Sequence, residues 1–119
     1  MPQIRIERSS GLASLDARAL ALTIHHLTVE HVAASVAACK TRVVDIGSPV
    51  IGDGASGRAM LHVEIGLLAG RTTEAKKALA EAVLAAAVAL LGAGAAAETH
   101  VSVEIRDMDA GSYQKTVLS

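Results

Sequence analysis

Residues 3–7, "QIRIE", alternate polar and apolar, which puts Ile4 and Ile6 on one face and predicts a half-buried β-strand. "SSGLAS" (9–14) then reads as a turn that offers Ser14 as a helix N-cap. From Leu15 to about Ala34, Leu15, Ala19, Leu22 and Val29 fall on a helical stripe, widened by Leu20, Ile24 and Leu27. "KTRVVDI" (40–46) predicts a second strand, and the turn-rich "GSPVIGDGASG" (47–57) a loop after it.

The pattern then repeats. "AMLHVEIGLL" (59–68) is a strand with Leu61, Val63, Ile65 and Leu67 on one face. Thr72 or Thr73 can cap a second helix, whose first turn carries Glu74 at the positive helix end. Ala75, Ala78, Leu79, Ala82, Val83, Ala86 and Leu90 form its inner stripe; Leu84 and Val88 make it apolar nearly all round. Such a helix usually has a second partner. "THVSVEIRDMD" (99–109) closes the unit as an alternating strand, leaving a polar tail. The expected architecture is α+β: one domain over 1–119, a tandem β-α-β repeat, with both helices on one face of a four-stranded sheet. Its other sheet face needs cover, which points to assembly.

Composition sharpens that expectation. Apolar residues make up 51% of 119, yet there is no Phe or Trp and only one Tyr, Tyr113. Ala, Val, Ile and Leu must fill the core, and so much small apolar surface suggests burial between subunits. A formal charge of −1 offers no basic field for nucleic acid or an anionic membrane. The charge-free stretch Ala82–Ala97 is shorter than the ~20 residues a spanning helix needs. Cys39, the single cysteine, cannot form an internal disulfide, and no secretion signal precedes the first strand. A cytoplasmic protein is expected.

Several residues invite a chemical reading. Pro2 is either a strand starter, tolerated where a missing N–H costs little, or, with Met1 removed, a rigid secondary amine able to act as a base. "GDGASG" (52–57) matches the dinucleotide fingerprint, but its glycines precede a strand instead of opening a helix, so a mobile loop is expected. Of five histidines, His25, His26 and His31 lie at offsets of one, five and six, none of them the i,i+4 spacing of a helical metal pair. His62 and His100 sit on separate strands with no Cys or carboxylate cluster read beside them, so no metal is expected. Cys39 beside Lys40 reads as a buried small hydrophobe before a reactive thiol. Arg71, between the third strand and the second helix, suits a carboxylate or a developing enolate oxygen; the plainer alternative is a solvated loop cation paired with Glu74. Lys40 and Arg42 enter the second strand, where cations are ordinarily solvated.

Taken together, "MPQIRIE", "CKTRVVD", "MLHVEIGLLAGRTTEAKK" and "SVEIRDMD" resemble the tautomerase superfamily, and within it 5-carboxymethyl-2-hydroxymuconate isomerase, over nearly the whole chain. The resemblance implies a homotrimer that moves a proton between carbons of an unsaturated 2-hydroxy or 2-keto acid. It implies no cofactor. By position, Pro2 matches the general base and Arg71 the arginine that engages the substrate's acid group. Lys40 falls where the isomerase has another functional arginine, a departure because lysine lacks the planar fork that grips a carboxylate. The missing phenylalanines also depart from the family's aromatic pocket lining. The expected function is a Pro2-dependent isomerase acting on a small carboxylate. The alternatives are a Pro2-dependent hydratase, dehalogenase or decarboxylase, and a non-catalytic trimeric module on the same scaffold.

Overall fold

Strand β1 (Gln3–Arg8), helix α1 (Ala17–Val32) and strand β2 (Lys40–Asp45) form the first βαβ unit; β3 (Arg58–Leu68), α2 (Thr73–Leu91) and β4 (Glu98–Met108) form the second. The computed structural model describes residues 1–92 and 98–119, so the end of the charge-free stretch, residues 93–97, lies outside the described residues. The strands make one four-stranded sheet in the order β2-β1-β3-β4. Each unit pairs its own strands in parallel, and the units join where β1 runs antiparallel to β3. At that seam Ile4 opposes Ile65 and Ile6 opposes Val63.

The period-two pattern explains which face is covered. Ile4, Ile6, Leu61, Val63 and Ile65 are fully buried together with Leu20 and Ile24 of α1 and Leu79 and Val83 of α2. Each such side chain contributes about 1.5–3 kcal/mol by leaving water. The opposite face is a lattice of charge. Arg5 pairs with Glu7 at 3.0 Å, and Arg106 reaches Glu64 at 3.3 Å and Glu104 at 3.4 Å. What this face offers a neighbour is therefore polar. Exposed apolar side chains lie on the helices, at Leu22, Leu84, Val88 and Leu90, and also outside them, at Val36, Val43, Ile46, Val50, Val117 and Leu118.

Three details of the helices differ from the sequence expectation. Helix α1 is capped by Asp16, whose carboxylate accepts from Ala19 N at 3.0 Å, and not by Ser14. A charged acceptor at the positive helix end outdoes a hydroxyl, and buried Leu12 and Leu15 fix the approach. Its inner row is Leu20, Ile24, Thr28 and Val32, while Leu22 is 45% exposed. Thr28 can occupy the core because its hydroxyl donates to Ile24 O at 2.7 Å, leaving no unpaired donor. In α2, Thr72 caps as expected by accepting from Ala75 N at 3.1 Å, and Glu74 lies in the first turn. Ala87 continues the buried row of Leu79 and Val83, which turns Leu90 outward. Among the described residues, no helix is long and apolar enough to cross a membrane.

Candidate active site

The topology gathers one set of ends. β1 and β2 begin where β3 and β4 finish, because the two units are antiparallel across the β1–β3 seam. Pro2 stands at this end with its side chain fully buried. Its carbonyl accepts from Lys40 N at 3.2 Å, so Pro2 joins the ladder through the one main-chain group that proline retains.

Arg71 reaches the same end from the β3–α2 connection. Gly70 before it adopts φ +124°, a conformation that L side chains rarely take, although a Cβ there would meet no atom within 4 Å. The backbone turn requires this glycine, not the space around it. Beyond the turn, Arg71 Nη1 donates to Leu68 O at 3.0 Å and Nε donates to Val32 O at 3.4 Å. The guanidinium thus closes over the last turn of α1, where carbonyls lack helical partners. Its partners are carbonyls and not Glu74, and neither bond uses Nη2.

The electrostatics at this end all act in one sense, with one exception. Burial, and next the charge of Arg71, hold the α-amine of Met1 below its ordinary value of 8.0; Lys115 and Lys40 add to this, and Cys39 opposes it. Desolvation and neighbouring cations both favour a neutral amine. Lys40 itself is exposed, and its Nζ donates to Ala38 O at 3.0 Å. Cys39 is buried, which pushes its thiol up in spite of the nearby amine and Lys40. It is a neutral thiol that donates to Ser35 O at 3.4 Å, in keeping with the reading as a small hydrophobe.

Sequence reasoning missed the segment after β4. Tyr113, half-buried, accepts from Gln3 Nε2 at 2.9 Å, and Gln3 Oε1 in turn accepts from Arg42 Nη1 at 2.7 Å. The available signal was Tyr113 itself, the chain's sole aromatic residue, set in a polar stretch.

The remaining candidates lie elsewhere. "GDGASG" leads directly into β3, as expected, with Gly52, Gly54 and Gly57 at positive φ. Arg58 clamps this loop to Asp53 at 2.7 Å and to Ile51 O at 2.9 Å, and also meets Glu98 at 3.1 Å. A cleft of about 420 Å³ lined by Ser10, Ser48 and Arg58 opens here, at the end of the sheet away from Pro2. His62 does have carboxylates beside it, contrary to the sequence reading. The β3–β4 register sets Glu64 against Glu104, and the ligand atoms of His62, Glu64 and Glu104 lie within 4.8 Å of one another. Arg106 bridges both carboxylates and offsets one of their two charges. His100 is turned instead to Glu98 at 2.7 Å. On α1, His25 bonds Thr41 Oγ1 at 2.8 Å.

Known proteins share this fold. Residues 2–118 match the family described as 5-carboxymethyl-2-hydroxymuconate isomerase. A 5-carboxymethyl-2-hydroxymuconate isomerase from Deinococcus radiodurans superposes with a TM-score of 0.84 at 18% identity, covering 97% of this chain and 88% of that one. A fused 4-OT wild type symmetric trimer gives a TM-score of 0.73 at 28% identity, covering 90% and 85%. A malonate semialdehyde decarboxylase gives 0.73 at 20% identity, covering 98% and 91%. No curated protein sequence matches the chain. The family match over residues 2–118, on a sheet and helix pair shared with these structures, shows that the chain belongs to the 5-carboxymethyl-2-hydroxymuconate isomerase family of the tautomerase superfamily.

Proposed function

We propose that the chain, with Met1 removed, is a cofactor-free cytoplasmic isomerase that uses Pro2 as a general base on an unsaturated 2-hydroxy or 2-keto acid. The observation that carries this reading is the shared placement of buried Pro2 and Arg71 at one end of the sheet, where burial and then Arg71 hold the amine of the adjoining Met1 below its ordinary value. With Met1 gone, the same burial and cations favour the neutral form of the Pro2 secondary amine, which can take the dienol O–H proton and return it to a conjugated carbon, so the proton is conserved. Arg71 binds the acid group and stabilises the oxygen on which charge develops; Lys40 adds a second, point-like cation. With Met1 attached, the Pro2 nitrogen is an amide and has no basic lone pair.

Assembly as a homotrimer follows the same reading. Three structures that share this fold are fused 4-OT trimers, and Leu84, Val88 and Leu90 leave apolar surface on α2. Light scattering is expected to give about three times the 12.1 kDa chain mass.

Intact mass spectrometry sorts the preparations into processed and Met1-retaining forms. The processed form is expected to ketonise a 2-hydroxymuconate-type dienol, with a rising pH limb below about 8. Met1 retention and Pro2→Ala should each abolish most of that rate. Equal rates in all three would end the proline-base reading. A non-catalytic module is favoured by one observation: Lys40 lacks the planar fork and its Nζ is already bonded to Ala38 O. A processed, trimeric protein inert toward dienols would support it.

A further inference from the structure

We propose that the segment after β4 completes the Pro2 site, with Tyr113 fastening it to β1 and Lys115 acting as a specificity residue for a second carboxylate on the substrate. The proposal rests on the isomerase reading and adds residues to the same site.

The path of the chain carries the argument. β4 is an edge strand and β1 lies two places away, beyond β3. A segment leaving Met108 must therefore cross the end of β3 to meet Gln3. A turn at Asp109–Ser112 reverses it: Ser112 N donates to Asp109 O at 3.2 Å, and Ser112 Oγ donates to Asp109 Oδ2 at 2.8 Å. Tyr113 follows at once and accepts from Gln3 Nε2, which Arg42 holds from the other side. Residues 109–112 and 114–119 are exposed and only Tyr113 is partly covered, so one side chain does the fastening.

Gln3 is the neighbour of Pro2 in the chain, so the fastening point brings Lys115 to the N-terminal end of β1. Its charge, with those of Arg71 and Lys40, lowers the pKa of the Met1 amine at this end. Lys115 is exposed and makes no hydrogen bond or ion pair among the described residues. Lys40 is bonded to Ala38 O, and Lys76 is engaged by Asp107 at 3.3 Å. Lys115 is therefore a cation at this end without an assigned partner. A substrate whose first acid group meets Arg71 presents its second to this charge.

The test compares wild type, K115Q, K115R and Y113F as processed full-length proteins. The substrates are a dicarboxylate dienol (2-hydroxymuconate) and a monocarboxylate 2-hydroxydienoate. K115Q is expected to lower the dicarboxylate-to-monocarboxylate ratio of kcat/KM about fivefold, through KM, the size of a partly exposed ion pair. K115R should restore the ratio. Y113F, which loses the anchor, should move it in the same direction as K115Q. Equal loss on both substrates would make Lys115 a mere modulator of the amine and overturn the proposal.

A binding readout separates this from the isomerase reading. Tyr113 is the only aromatic residue, so intrinsic emission reports this segment alone. Titrating the unreactive dicarboxylate adipate should give a saturable change in wild-type emission, with an apparent Kd about fivefold weaker in K115Q. That result in a protein inactive on both dienols would keep the Lys115 assignment and reject the isomerase. No saturable change, or equal Kd in both proteins, would overturn the Lys115 assignment whatever the activity.

Discussion

Replacing Arg71 with alanine removes two contacts at once, the Nη1 bond to Leu68 O at 3.0 Å and the longer Nε contact with Val32 O at 3.4 Å. A hydrogen bond from a charged donor nets about 1.5–3 kcal/mol, but this one is part-exposed and the second contact is near the geometric limit. A loss of about 1.5 kcal/mol is expected, since both carbonyls can turn to water once the guanidinium is gone. For a domain of this length that corresponds to a Tm lower by roughly 5–9 °C. Urea unfolding followed by far-UV circular dichroism suits a chain without tryptophan. The same variant should lose about tenfold to a thousandfold in kcat/KM on an accepted dienol, or about 1.4–4 kcal/mol of transition-state stabilisation. Arg71→Lys separates the two demands. It keeps a positive charge but cannot bridge both carbonyls, so stability should fall about as far while part of the activity survives. An unchanged urea midpoint in Arg71→Ala would refute the tie between the β3–α2 turn and α1. Unchanged kinetics would reduce Arg71 to a structural clamp.

Gly66→Ala places a Cβ 3.0 Å from Met108 Sδ and 3.5 Å from Gln3 O. The flexible thioether can yield by a few tenths of an ångström, and alanine gains about 0.5–1 kcal/mol of backbone entropy in a strand. A urea midpoint near wild type is expected, and a loss above about 2 kcal/mol would show that Met108 cannot move. His25 is held below its ordinary value of 6.5, first by burial and then by His26. Between that lowered value and 6.5 the unfolded chain binds a proton that the folded chain does not. Stability should therefore decline as pH drops through this window and level off below it. His25→Gln should flatten this part of the profile, and an unaltered slope would place the acid sensitivity elsewhere.

Local features were legible because their causes are local. Alternation in "QIRIE" and in 59–68 sets which side chains share a face, and the structure buries Ile4, Ile6, Leu61, Val63, Ile65 and Leu67 accordingly. Thr72 and Glu74 announce the start of α2 because a helix's unpaired N–H groups need an acceptor within the first turn. The same logic misplaced the cap and inner row of α1. Two residues competed for the cap, and a threonine's ability to satisfy its own hydroxyl in the core is invisible to a hydropathy pattern.

By itself, then, the sequence determined two βαβ units, the residues each strand turns inward, and the kinds of side chain that stand near each unit's ends. Only the tertiary structure decided how the units meet. The antiparallel β1–β3 seam places Pro2 at the end where the chain leaves β3 for Arg71, and the β3–β4 register sets Glu64 against Glu104. It alone drew Tyr113 to Gln3 across 110 residues, and turned Arg71 toward carbonyls rather than Glu74. The physical reason is that period and capping act within a few residues. Strand partners and the pairing of a lone polar group are settled by burial and hydrogen-bond satisfaction among segments far apart in the chain.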